Sequence, residues 1–324
     1  MKRMTAMILA LFLVFGLLAG CTSDPRPADD GPGGVYRMTR TTVYTKEYDG
    51  SEEEFIYLEN EYDEKARKVL TRLYGPEGLE SYTEFKYYPE SGMLSADYGY
   101  DPYGNPYFGS EYTYDEDGLL RRVNNSYPGG EDGSLQRMYT VRYDYDEDGN
   151  RVRETRFNRN MEPEDTLVYT YSKDGNVLKT EFFDRDGSLI SWTGFDYKDG
   201  LLRDEVSYMA DGDMEYSLSY EYDEDGLETG RFYHDYDMSV GRSIYTTRSK
   251  EDSLYFEGTP VDVITQTSQG PNGETEYIAR EEYDRNGNLI YTVRTDTFAD
   301  GSTEIYSQMY EYRFFEGITD SRVN

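Results

Sequence analysis

From about residue 35 onward, large apolar side chains recur at every second position in short runs, with polar residues between them. That period of two is the signature of β-strands with one covered face, and no 12-residue stretch shows the apolar stripe of an amphipathic helix. The clearest runs pair two aromatics around one polar residue and end in a glycine. Examples are Tyr112-Thr113-Tyr114-Asp115-Glu116-Asp117-Gly118 and Tyr143-Asp144-Tyr145-Asp146-Glu147-Asp148-Gly149. Aromatics at i and i+2 share a strand face, so Thr113, Asp144, Thr170, Asp196 and Glu221 are expected on the opposite, wetter face. Asp-Gly or Asn-Gly then makes the turn, with the glycine at positive φ. Leu119-Leu120, Val177-Leu178, Leu189-Ile190, Leu201-Leu202 and Leu289-Ile290 stand just past turns, where they should oppose the incoming aromatics.

The unit repeats. Starting from Gly92, the turn glycines fall at 118, 149, 175, 200 and 226, spacings of 26, 31, 26, 25 and 26 residues. Shorter turns lie between them, as at Asp186-Gly187 and Asp211-Gly212, so each unit holds two strands and two turns. The expected fold is all-β: serial antiparallel hairpins forming a long twisted meander or an open spiral sheet over residues 35–324. Residues 35–75 also read as strands (Thr41–Thr45 and Glu54–Leu58), suited to capping the array. The rhythm lapses between about Tyr233 and Gly273, which reads as a longer loop or an atypical hairpin.

The segment before the repeats has a different character. Lys2 and Arg3 precede an apolar run from Ala6 to Leu18, too short for a comfortable bilayer span of about 20 residues. It ends in Leu18-Ala19-Gly20-Cys21, which resembles the lipobox of bacterial lipoproteins. That resemblance implies a signal peptide over 1–20 and lipidation of Cys21, the only cysteine in the chain. It also implies anchorage outside the cytoplasm, on the bacterial cell membrane or the outer membrane. Residues 21–34, rich in Pro, Gly and Asp, read as a flexible tether.

Composition narrows the partners. The formal charge is −32, and losing Lys2 and Arg3 with the leader takes it to −34. Such a field repels nucleic acid and anionic headgroups. Low hydropathy with high charge would indicate disorder, but 36 tyrosines argue for an ordered wall built from Tyr rings with their hydroxyls near water.

Tyr145-Asp146-Glu147-Asp148-Gly149-Asn150 and Tyr283-Asp284-Arg285-Asn286-Gly287-Asn288-Leu289-Ile290 resemble the YD repeat of RHS and teneurin proteins, and the resemblance extends over most of 85–317. The string is also similar to bacterial MORN-type hairpin repeats. Both resemblances imply serial hairpins with structural or binding roles. Large RHS proteins wind the repeat into a shell around a toxin domain. This chain is far shorter and has no C-terminal segment of different composition, so encapsulation is not expected.

Catalytic and metal chemistry find little support. Asp144-x-Asp146-x-Asp148-Gly149 matches the opening of an EF-hand loop, but position 12 is Thr155 and Glu154 falls one short. Copies at 112–118 and 169–175 carry Thr113 and Thr170 in place of the first Asp, so calcium is at most a weak ligand. With 65 acidic residues, any two could be nominated as a glycosidase pair. The single histidine, His234, reads as a turn residue, Trp192 as a packing residue, and no phosphate-binding loop is present. Neither an enzyme nor a cofactor is expected. The remaining expectation is a binding array for carbohydrate, wall component or protein, with Tyr114, Tyr145, Tyr171, Tyr197 and Tyr222 as candidate stacking residues. The alternative is a purely structural envelope spacer.

Overall fold

The computed structural model describes residues 34–46, 50–129, 133–236 and 240–316. The leader, Cys21 and nearly all of the tether lie outside the described residues. Residues Gly31–Asn324 form one compact unit.

Twenty strands and no helix make up the described chain. They are β1 (Gly34–Lys46), β2 (Glu52–Tyr62), β3 (Lys68–Gly75), β4 (Gly78–Tyr87), β5 (Leu94–Tyr100), β6 (Pro106–Tyr114) and β7 (Leu120–Pro128). Then come β8 (Leu135–Tyr145), β9 (Arg151–Asn158), β10 (Pro163–Tyr171), β11 (Val177–Asp184), β12 (Leu189–Lys198), β13 (Leu201–Met209) and β14 (Met214–Tyr222). The last are β15 (Glu228–Asp235), β16 (Val240–Asp252), β17 (Pro260–Gln269), β18 (Thr275–Tyr283), β19 (Leu289–Thr297) and β20 (Thr303–Glu316).

Each strand pairs antiparallel with the next, as the alternation predicts. The ends also meet: β1 pairs with β20 from Gly34 opposite Glu316 to Lys46 opposite Ile305. The expected open meander or spiral is therefore corrected to a closed barrel, and β1 and β2 are its seam, not a cap. Closure removes both edge strands, whose unpaired N–H and C=O groups would otherwise template aggregation. No element pattern in a local stretch of sequence announces this step, because it joins residues more than 270 positions apart.

The wall has two chemically distinct faces. In register, Tyr112 opposes Val123, Tyr143 opposes Glu154, Tyr169 opposes Thr180 and Tyr220 opposes Arg231. This Tyr face is the concave one, where side chains converge past intervening strands. Arg242 of β16 reaches Glu276 of β18 at 2.5 Å, and the charge of Arg231 on β15 acts on the Tyr277 hydroxyl, three strands away. Burial pushes the hydroxyls of Tyr220, Tyr306 and Tyr312 on this face up to about 12. On the other face Asp144, Thr170, Asp196 and Glu221 are exposed as expected, and Thr113 is half-buried. Fully buried apolar side chains are few and scattered (Val43, Val123, Val261 and Val263 among them), so a one-layer wall replaces a central core.

The turns differ in detail from the two-residue type expected. The anchor is the Asp that follows the second Tyr, not the residue before Gly. Asp146 Oδ1 accepts the backbone N–H groups of Asp148 (3.0 Å) and Asn150 (2.8 Å), while Gly149 sits at φ +83°. Asp115, Asp223 and Asp284 repeat that geometry. A type I turn followed by a left-handed residue closes each hairpin and leaves a bulge at the second Tyr. The aliphatics past the turn do face the aromatics: Tyr114 opposes Leu120, Tyr171 opposes Val177 and Tyr283 opposes Leu289. The irregular stretch is an atypical hairpin, β16 and β17, whose connection folds back onto the wall.

Candidate functional site

The Asp-anchored turns all fall at one rim, since each follows an even-numbered strand. There the second tyrosine of each pair links its own turn to the one before. The hydroxyl of Tyr145 donates to the Leu120 carbonyl (2.9 Å), that of Tyr171 to Arg151 (2.7 Å) and that of Tyr222 to Leu202 (2.8 Å). Tyr87 and Tyr312 make the same link to Lys68 and Leu289. Three of the five tyrosines nominated for stacking thus spend their hydroxyls on backbone. Tyr114 instead meets Tyr88 edge-on at 6.4 Å, and Tyr197 is half-buried on β12. All five stand at the same rim on separate strands, not gathered into one pocket.

Deeper on the concave face, the first tyrosine of a pair meets a carboxylate. Tyr112 donates to Asp97 (2.6 Å) and Tyr169 to Glu154 (2.5 Å). Tyr216 donates to Glu205 (2.8 Å), whose charge also acts on Tyr220. Guanidinium groups complete these clusters. Arg151 bonds Glu154 at 2.9 Å and lies 4.6 Å from the Tyr143 ring, while Arg231 bonds Glu228 at 3.0 Å and lies 5.3 Å from Tyr220. Yet Arg151 Nε, Arg231 Nε and the Thr246 hydroxyl are buried with no hydrogen-bond partner. Arg231 and Thr246 are near neighbours, because Arg231 opposes Ile244 in register. Unpaired buried polar atoms are uncommon, and each is a vacancy for a hydrogen-bonding group.

These clusters were not foreseen, although a signal exists. The carboxylates Asp97, Glu154 and Glu205 stand 15 residues before Tyr112, Tyr169 and Tyr220, the first aromatics of three repeat units. With two strands per unit, that offset puts acid and phenol side by side on adjacent strands.

The calcium candidate dissolves into turn chemistry. Both oxygens of Asp146 accept bonds from its own loop, including Asn150 Nδ2 at 3.0 Å, and these bonds hold its carboxyl below the usual range. Among the described residues no cluster of three or more His, Cys, Asp or Glu is arranged to hold a metal. His234 lies on β15, not in a turn, and meets Tyr236 edge-on at 4.4 Å. Both faces of the Trp192 indole are covered, by Tyr208 stacked at 4.1 Å and Lys179 at 5.0 Å, so Trp192 packs.

Neither face of the barrel is apolar at mid-strand. Glu84, Arg142, Glu181 and Asp204 occupy the outer face; Asp97, Glu154, Glu205 and Arg231 the inner. A lipid-facing barrel wall needs an apolar band about 25 Å tall.

No family model matches the chain. No curated protein matches it either. Among solved structures, TcdB2-TccC3 is similar over 84% of this chain and 18% of its own, at 13% identity and a TM-score of 0.39. This chain therefore spans less than a fifth of that one's length. A porin-like protein from Bacteroides uniformis is similar over 72% of this chain and 97% of its own, at 12% identity and a TM-score of 0.37. The Photorhabdus luminescens Tc holotoxin pore is similar over 84% and 20%, at 12% identity and a TM-score of 0.21.

Proposed function

We propose that the protein is a cell-envelope lipoprotein, tethered through Cys21, whose barrel is a non-catalytic binding body of the YD-repeat kind. Its ligand is a hydroxyl-rich chain, a glycan or wall polymer, held against the concave Tyr face. One observation carries this reading: Arg231 Nε and Thr246 Oγ1 are buried without partners beside the Tyr220–Arg231–Glu228 cluster. Phenol rings offer stacking surfaces, and the carboxylate and guanidinium pairs accept and donate to sugar hydroxyls. The charged residues on both faces support a barrel held outside the bilayer, not one that crosses it.

The test is a glycan array probed with the full chain in detergent, followed by the variants Arg231→Gln and Thr246→Val. Binding that both variants weaken by about tenfold or more (about 1.4 kcal/mol), at unchanged Tm, supports the reading. An array without hits, or hits indifferent to both variants, overturns it in favour of a spacer role. That second role is favoured by the tyrosine hydroxyls tied to backbone at the rim. Incorporation of labelled fatty acid that Cys21→Ser abolishes checks the anchor separately.

A further inference from the structure

The outer face carries one recess, of about 320 Å³, at the seam of the barrel. Its lining joins Thr42 and Tyr44 of β1, Glu54 of β2, Ser307 and Met309 of β20, Tyr291 of β19 and Tyr255 of the β16–β17 connection. Register places these side chains in order. Tyr44 opposes Ser307 and Glu54, while Met309 opposes both Thr42 and Tyr291. One strand, β20, separates Tyr44 from Tyr291, and small side chains floor the gap. Strand spacing of about 4.8 Å sets the two aromatic walls about 10 Å apart.

The second wall is raised and fixed. Tyr255 stacks on Tyr291 at 5.4 Å and 28°. Its connection is pinned by Glu282, fully buried, which accepts Ser253 Oγ (2.5 Å) and the Leu254 N–H (3.0 Å). Tyr255 is nonetheless 52% exposed, so the wall stands open to solvent.

We infer that this recess is an aromatic cage for a quaternary or alkylated ammonium group. A cation midway between the walls lies about 5 Å from each ring, inside the roughly 6 Å reach of a cation–π contact. Glu54 at the mouth has no ion pair among the described residues, whereas nearby Lys46 is neutralised by Glu52 at 2.6 Å. The −32 chain adds long-range attraction for a cation. The Met309 thioether gives the floor a soft, polarisable surface that suits methyl groups. The inference stands apart from the concave-face reading, since it uses the opposite face and a different ligand chemistry.

The experiment is saturation-transfer NMR on the full chain in a polyoxyethylene detergent. Its probes are choline, tetramethylammonium, the uncharged choline isostere 3,3-dimethylbutanol, and glucose. The expected result is millimolar binding of both cations, with the isostere and glucose weaker by about tenfold or more. Tyr255→Ala and Tyr291→Ala should each weaken choline by about tenfold, and Glu54→Gln by about threefold. Tyr255→Ala lies on an exposed connection, so its Tm should stay at the parent value. The inference is overturned if the isostere or glucose binds as well as choline. It is equally overturned if choline binding survives Tyr255→Ala and Tyr291→Ala unchanged.

Discussion

Between Tyr112 and Gly226 the wall is assembled from one device used again and again, whereas from Tyr233 to Tyr291 it is held by contacts that occur once. In the first region an Asp anchors each turn and a tyrosine ties that turn to the one before. Each tie is small and its loss is local. In the second, β16 and β17 run longer and their connection is clasped by Glu282. That carboxylate also accepts from Arg280 Nε at 2.9 Å, and Arg280 reaches Glu251 on β16. Repetition distributes stability over many weak links, and a non-repeating stretch concentrates it in one buried charge.

That contrast sets the largest expected effect. Glu282→Ala leaves Ser253 Oγ, the Leu254 N–H and one side of Arg280 unpaired inside the wall. Removing one partner of a buried charge cluster costs about 3–5 kcal/mol. Urea unfolding should show a loss of that size, with early protease cleavage near Leu254-Tyr255. A loss below about 1 kcal/mol would be what a surface contact gives, and would erase the distinction between the two regions.

The two regions also differ in how much of them was legible beforehand. The strands, the Tyr face and the aliphatic partners past each turn follow from period-two alternation and recurring glycines, because those are local signals. Turn chemistry was half legible: the glycines were placed correctly, but the carboxylate of the Tyr-Asp step, not the residue before Gly, organises the loop. Closure was illegible, since β1 and β20 are joined by register between distant segments and neither strand looks different from its neighbours. Glu282 was illegible for a related reason. One Glu among 65 acidic residues carries no mark of being buried until Ser253 folds over it.

In the repeated region the expected effects are smaller and should add. Tyr145→Phe, Tyr171→Phe and Tyr222→Phe each remove one hydroxyl-to-carbonyl bond and keep the ring, at about 1 kcal/mol apiece. The three sites share no partner, so the triple variant should lose close to the sum of the three. Thermal or urea unfolding measures it. A triple loss far larger than that sum would mean the ties form one cooperative belt, contrary to the contrast drawn above.

Smaller still is the effect of backbone strain in the turns. Met161 holds φ +65° where the sister turns have glycine. Asn158 anchors it as Asp146 anchors Gly149, accepting from Asn160 and Glu162. Met161→Gly relieves the left-handed strain but frees the unfolded chain, for a net gain of about 0.5 kcal/mol. Gly149→Ala should lose about as much, since an added Cβ there meets nothing within 4 Å and the penalty is purely conformational. Urea midpoints moving in opposite directions would verify the pair.

The finest test concerns Asp97 on β5, where the Tyr–carboxylate motif meets burial. Burial lifts its carboxyl above the usual aspartate range, and the bond donated by Tyr112 offsets only part of that. A raised folded-state pKa means that the fold holds the proton more tightly than the unfolded chain does. Its contribution to stability is therefore present below about pH 4, the unfolded value, and is lost as pH rises through the folded one. Asp97→Asn keeps an acceptor for the Tyr112 hydroxyl and carries no charge at any pH. The variant should be the more stable protein at neutral pH, with its advantage shrinking as the pH falls toward about 4. Urea unfolding of both proteins across that range reads the difference directly. If the variant is instead weaker at neutral pH, the charged carboxylate gains more from Tyr112 than it loses by burial. The concave-face carboxylates would then be structural members of the wall, as the rim tyrosines are.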